Sequence, residues 1–145
     1  MDESGIIEGF GVSGLVVGSS ERRAIQKKQP ESKDWASFIE CVSSTEVALP
    51  PLVIFKGKSV QQQWFTRSLG LFEGWEFTST DNGWTTGETA IEWLQKVFLP
   101  STNTTEPRLL ILDGHGSHET TDFMYLCCQN NIYLLFLPAY TSHVL

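Results

Sequence analysis

A stretch near the carboxyl end constrains this chain more than any other. Arg108-Leu109-Leu110-Ile111-Leu112 is a nearly unbroken apolar run that stops at Asp113-Gly114. A helical pattern follows over Glu119–Gln129, halted by Asn130-Asn131, and a second apolar run, Ile132–Leu137, ends at Pro138. Short continuous apolar runs bounded by turn residues are the mark of strands buried on both faces, typically in parallel pairs. Strand, helix and strand in so few residues predict a right-handed βαβ unit.

Upstream the signals change from parallel to antiparallel. Trp35–Val42 is rich in β-formers, a polar turn Ser43–Glu46 follows, and Val47–Phe55 resumes the apolar pattern, broken by Pro50-Pro51. Two such runs with a short polar link predict a hairpin, with the prolines at an edge or bulge because neither can donate to a ladder. Ser59–Phe72 reads as a short helix and loop, and Glu73–Ser79 as another short strand. Asp81-Asn82-Gly83-Trp84 predicts a turn, and Thr85 or Thr86 a cap for a helix to about Phe98, with Pro100 beyond its end. The first eighteen residues hold five glycines, which predicts a flexible or sharply turning lead segment. The sum is an α/β protein in which an antiparallel hairpin and parallel strands form a mixed sheet with helices on its faces.

Composition decides which functions remain open. With 145 residues the chain is expected to be one domain, and 12% aromatic content supplies its core. A net charge of −7 argues against a protein held on DNA by its own charge, since non-specific affinity comes from neutralising phosphates. Half of the positive charge lies in Ser19–Lys33, which includes Arg22, Arg23, Lys27 and Lys28. That stretch reads either as a solvated loop or as a small phosphate-contacting patch. Three cysteines without metal-ligand spacing, an acidic start and no long apolar stretch predict a soluble, reduced, intracellular chain with no membrane segment. Cys127-Cys128 reads as a buried, inert pair, and the tryptophans as packing groups rather than base-stacking platforms.

Ligands of parallel α/β sheets bind beyond the carboxyl ends of the strands, where Asp113 lies. Its carboxylate is a hard oxygen donor suited to Mg²⁺, while an Asp before Gly also serves as a plain turn residue. His115 and His118 give the same loop groups that ionise near neutral pH. As zinc ligands they lack a third nitrogen or sulfur nearby.

Leu109-Leu110-Ile111-Leu112-Asp113-Gly114-His115-Gly116-Ser117-His118 resembles the second-aspartate motif of the DDE superfamily endonucleases, and more narrowly of the pogo and jerky type transposases of the mariner group. Met1-Asp2-Glu3-Ser4-Gly5 resembles the first-aspartate motif, and Ser19–Arg23 the loop after it. Ala48–Lys58, Asn82-Gly83-Trp84-Thr85-Thr86 and Leu137–Leu145 are similar to further segments in the same order. The resemblance implies a ribonuclease-H-like fold and a metal-dependent DNA cleavage and strand-transfer activity. Asp2 and Asp113 would be catalytic metal ligands for Mg²⁺ or Mn²⁺, two ions in the complete site, with His115 and His118 auxiliary. It further implies DNA as partner, oligomers in the strand-transfer complex, and a nuclear location.

The chain departs from that family at both ends. The family's first strand precedes the first aspartate, its third acid follows the segment resembling His143-Val144-Leu145, and neither is found in residues 1–145. The expectation is therefore a partial catalytic domain with impaired activity. Two alternatives stay open: a non-catalytic transposon remnant or interaction module, and a small-molecule phosphoesterase using Asp113, His115 and His118.

Overall fold

The computed structural model describes residues 1–7, 35–61, 65, 72–103, 105–113, 116 and 119–138. Its strands are β1 (Asp2–Ile7), β2 (Trp35–Glu40), β3 (Leu52–Lys56), β4 (Glu76–Thr80), β5 (Arg108–Asp113) and β6 (Ile132–Leu137). Between β4 and β5, helix α1 (Gly87–Trp93) passes through a π-helical stretch, Leu94–Phe98, into α2 (Leu99–Ser101); α3 (Thr121–Gln129) joins β5 to β6.

The predicted mixed α/β architecture is found. One sheet has the order β1-β2-β3-β4, with β1–β2 and β2–β3 antiparallel and β3–β4 parallel. β5 and β6 pair in parallel, Arg108 against Ile132 through Asp113 against Leu137. The two sheets meet at β1, where the Met1 ammonium donates to the Ile111 carbonyl at 2.9 Å.

The hairpin holds as expected, and Pro50-Pro51 fall just ahead of β3, so they interrupt no ladder bond. The turn is closed by Ser43 N–H donating to Val47 O, with Glu46 in the left-handed region at φ 64°. Residues 2–7, predicted to be flexible or turning, are instead strand β1. The glycine there has a packing role: a Cβ on Gly5 would lie 2.0 Å from Cζ2 of Trp35, so the indole lies over bare backbone. The rest of the glycine-rich lead and most of Ser59–Phe72 lie outside the described residues.

Thr86 is the cap of α1: its hydroxyl accepts from Thr89 N–H and the Thr89 hydroxyl accepts from Thr86 N–H, so two free donors are satisfied reciprocally. The helix outlasts its predicted end near Phe98. Pro100 lies at the start of α2 rather than beyond the helix, and the π-helical register just before it lets Leu99 N–H reach Leu94 O.

Trp93, Leu94, Ala90 and Phe123 from the helices pack on Ile39, Leu52, Ile54, Leu110 and Leu112 from the strands. Burying such side chains contributes about 1.5–3 kcal/mol each. β5 is not buried on both faces, contrary to its apolar run: Leu110 and Leu112 are buried, whereas Leu109 and Ile111 are exposed. The described helices gather on one face, so alternate residues of β5 and β6 look outward, including Tyr133 and Leu135. At the start of β5, Arg108 donates to Thr102 Oγ1 at 2.7 Å and to the Asn130 carbonyl, and its guanidinium sits 5.6 Å from the Phe98 ring centre. That one side chain ties the end of α2, the end of α3 and the start of β5 together.

Candidate functional site

Side-chain alternation decides where the two aspartates point. Glu3 pairs with Ile39, which belongs to the core, so Asp2 and its partner Glu40 emerge on the opposite face. Leu112 belongs to the same core, so Asp113 also leaves on the face away from the helices. The Met1–Ile111 hydrogen bond lies one residue before Asp2 and two before Asp113. Two acids 111 positions apart in sequence (113 − 2) thus come to neighbouring strands on one face.

Asp2 is exposed and Asp113 half-buried. Asp2 Oδ1 accepts from Glu3 N–H at 2.9 Å, which turns the carboxylate toward its own backbone. Glu3 reaches to the other side: its Oε1 accepts from Thr85 N–H at 3.2 Å, fastening β1 to the turn ahead of α1. That turn is fixed in its own right. Asn82 Oδ1 accepts from Trp84 N–H at 3.0 Å, Gly83 takes φ 77°, and the Trp84 ring packs on Trp35 at 4.6 Å. The Asn82–Thr86 segment therefore acts as a brace for the strand that carries Asp2.

Asp2 and Asp113 are oxygen donors of the kind hard divalent cations prefer. Among the described residues, no group of three or more His, Cys, Asp or Glu is placed to hold a metal ion. Asp2 and Asp113 have the donor chemistry that part of such a site would need. Glu40 escaped the sequence reading, although it stands directly across from Asp2, with Cβ atoms of such pairs roughly 4.5–5.5 Å apart. Only the hairpin register, which is not written in either strand alone, reveals that opposition. His115, His118, Arg22, Arg23, Lys27 and Lys28 lie outside the described residues.

The two buried cysteines offer no competing chemistry. Burial pushes the Cys127 thiol up to about 12, outweighing the opposing pull of the Arg108 charge, and burial also raises Cys41. Neither supplies thiolate near neutral pH. Cys128, expected to be buried beside its neighbour, is exposed, because adjacent positions on α3 face different sides. The tryptophans behave as packing groups where described: Trp93 is fully buried, and Trp75 packs edge-on to Phe72 at 5.2 Å.

No helix among the described residues is long and apolar enough to cross a membrane. The chain is 37% identical over 148 residues to a protein of Cochliobolus lunatus named as an MFS-type transporter; the match takes in 99% of this chain and 16% of that protein. The chain thus spans about a sixth of the length of that relative. No solved structure matches. The family model of the DDE superfamily endonucleases matches residues 32–145, a span that holds Asp113, His115 and His118 and begins after Asp2. With a match over most of its length, including the strand that ends at Asp113, this chain belongs to the DDE superfamily endonuclease family.

Proposed function

We propose that this chain is the core of a pogo or jerky type transposase that cleaves and transfers DNA phosphodiesters, with Asp2 and Asp113 as its metal-holding carboxylates. The observation that carries the reading is the convergence of β1 and β5 at the Met1–Ile111 bond, with both acids on the face away from the helices. The two aspartates would hold Mg²⁺ or Mn²⁺, two ions in a complete site. Such ions, when bound, activate a hydroxyl nucleophile and stabilise the leaving oxygen. The protein's share is to fix the carboxylates: Glu3 pins β1 to Thr85, and Leu110 and Leu112 seat β5 in the core. His115 and His118 stand next to Asp113 in sequence and would orient water or phosphate. Arg22, Arg23, Lys27 and Lys28 would contact DNA. Work on DNA places the protein in the nucleus, in oligomers that hold transposon ends and target together.

Titration of the chain with Mg²⁺ and Mn²⁺ by calorimetry tests the assignment. Binding is expected in the wild type and lost in Asp113→Asn; equal affinity in both removes Asp113 from the site.

A second reading is favoured by a different observation. Among the described residues no three-ligand group is placed to hold a metal ion, which suits a non-catalytic module. Nicking of supercoiled plasmid in Mg²⁺ separates the two, since efficient cleavage that Asp113→Asn abolishes excludes the inert module.

A further inference from the structure

We propose that the groove beside Asp2 is a docking site for a basic, partly apolar peptide segment of a partner protein. The groove lies on the face away from the helices and encloses about 620 Å³. Ser4 and Ile6 of β1, Phe38 and Glu40 of β2, and Glu73 and Trp75 ahead of β4 line it.

Two features of the lining select the occupant. The walls are apolar and aromatic, and Ile6 is 58% exposed although it belongs to a paired strand. Exposed apolar surface of this kind inside a concavity gains free energy when covered. The second feature is charge. Among the described residues the ion pair formed is Lys96 with Glu92, so Glu40 and Glu73 have no counter-ion there.

Each candidate occupant meets this lining differently. A nucleic acid or an acidic peptide brings like charge to it and is repelled. A neutral apolar peptide covers the walls and leaves both glutamates desolvated without partners. Lysine and arginine satisfy both requirements: their stems lie along apolar walls while their heads pair with carboxylates or stack on an indole. The geometry therefore points to cationic side chains flanking an aliphatic one. The inference is independent of the metal reading, because neither Asp113 nor a cation enters it.

The test uses the full ¹⁵N-labelled chain and the peptide acetyl-Lys-Leu-Arg-Leu-Lys-amide. A saturable shift is expected at the Trp75 indole N–H and the Phe38 amide. The combined substitution Glu40→Gln, Glu73→Gln should weaken binding about tenfold, a difference easily read from a titration. Raising salt from about 50 to about 500 mM should weaken it as well, since exposed charges are screened. Asp113→Asn should bind the peptide as the wild type does, which keeps this proposal separate from the metal assignment. No shift at the Trp75 indole overturns it. So does equal affinity for acetyl-Glu-Leu-Glu-Leu-Glu-amide, tighter binding of a single-stranded oligonucleotide at the same residues, or unchanged affinity in a double variant whose circular dichroism matches the wild type.

Discussion

Replacing Gly5 by alanine puts one methyl group where the structure has none to spare. The new Cβ would sit 2.0, 2.6 and 2.8 Å from three atoms of the Trp35 ring, distances that no side-chain shift of a few tenths of an ångström relieves. The indole must leave. Overpacking of this kind costs about 1–3 kcal/mol. Displacing the indole also gives up its contact with Trp84 at 4.6 Å, a ring pair contributing about 0.5–1.5 kcal/mol. The hydrogen bond from Trp35 Nε1 to Ser37 Oγ, 2.9 Å long and half-buried, contributes another ~1 kcal/mol. We expect Gly5→Ala to lose about 3 kcal/mol in urea unfolding, or a fall in Tm of roughly 6–12 °C for a chain of this size. Trp35→Phe removes part of the clashing ring, so the double variant should lose less than the sum of the two singles. A Gly5→Ala protein within about 0.5 kcal/mol of wild type, the usual range for an unconstrained surface site, would refute the argument.

Trp93 is fully buried, yet among the described residues its indole N–H has no hydrogen-bond partner. Trp93→Ala should cost about 3–5 kcal/mol in denaturant unfolding, whereas Trp93→Phe, which removes the unpartnered donor, should cost well under half of that. Cys127 sets a pH dependence at the alkaline end. Its folded pKa, about 12, lies above the ordinary value of 9.0, so the folded chain prefers the neutral thiol. Its stabilising effect is complete below pH 9.0 and is lost as pH rises toward 12, with a slope near 1.4 kcal/mol per pH unit within that window. Cys127→Ala should flatten that decline in chemical unfolding at pH 9 to 11, and an unchanged slope would show that the thiol is not the group responsible. Asp113→Asn should fold as the wild type does, because its carboxylate leaves on the side away from the core; a large loss of stability would mean that it is a packing residue.

Much of this arrangement was legible from the chain itself because local signals and packing agree. The apolar runs at Leu109–Leu112 and Ile132–Leu137, the link between them and the stop at Asn131 suffice for a parallel pair. Trp35–Val42 and Val47–Phe55 likewise suffice for a hairpin. β1 was hidden because glycine carries no strand signal; its need at position 5 comes from Trp35, thirty residues away. The one-sided burial of β5 was hidden for a related reason: Leu109 and Ile111 are as apolar as their buried neighbours, so periodicity had nothing to show. The aspartates stood out by type and place, whereas Glu40 and Glu73 gained meaning only when register and loop geometry brought them to one groove.

Arg108 and Asp113 open and close the same strand, five steps and roughly 16 Å apart. The first is knotted into two helix ends, while among the described residues the second carries none of that fastening. Sequence change around Asp113 can therefore proceed with little effect on whether the strand forms. An alteration at Arg108, far from any acid, would loosen the bench on which the carboxylate is mounted.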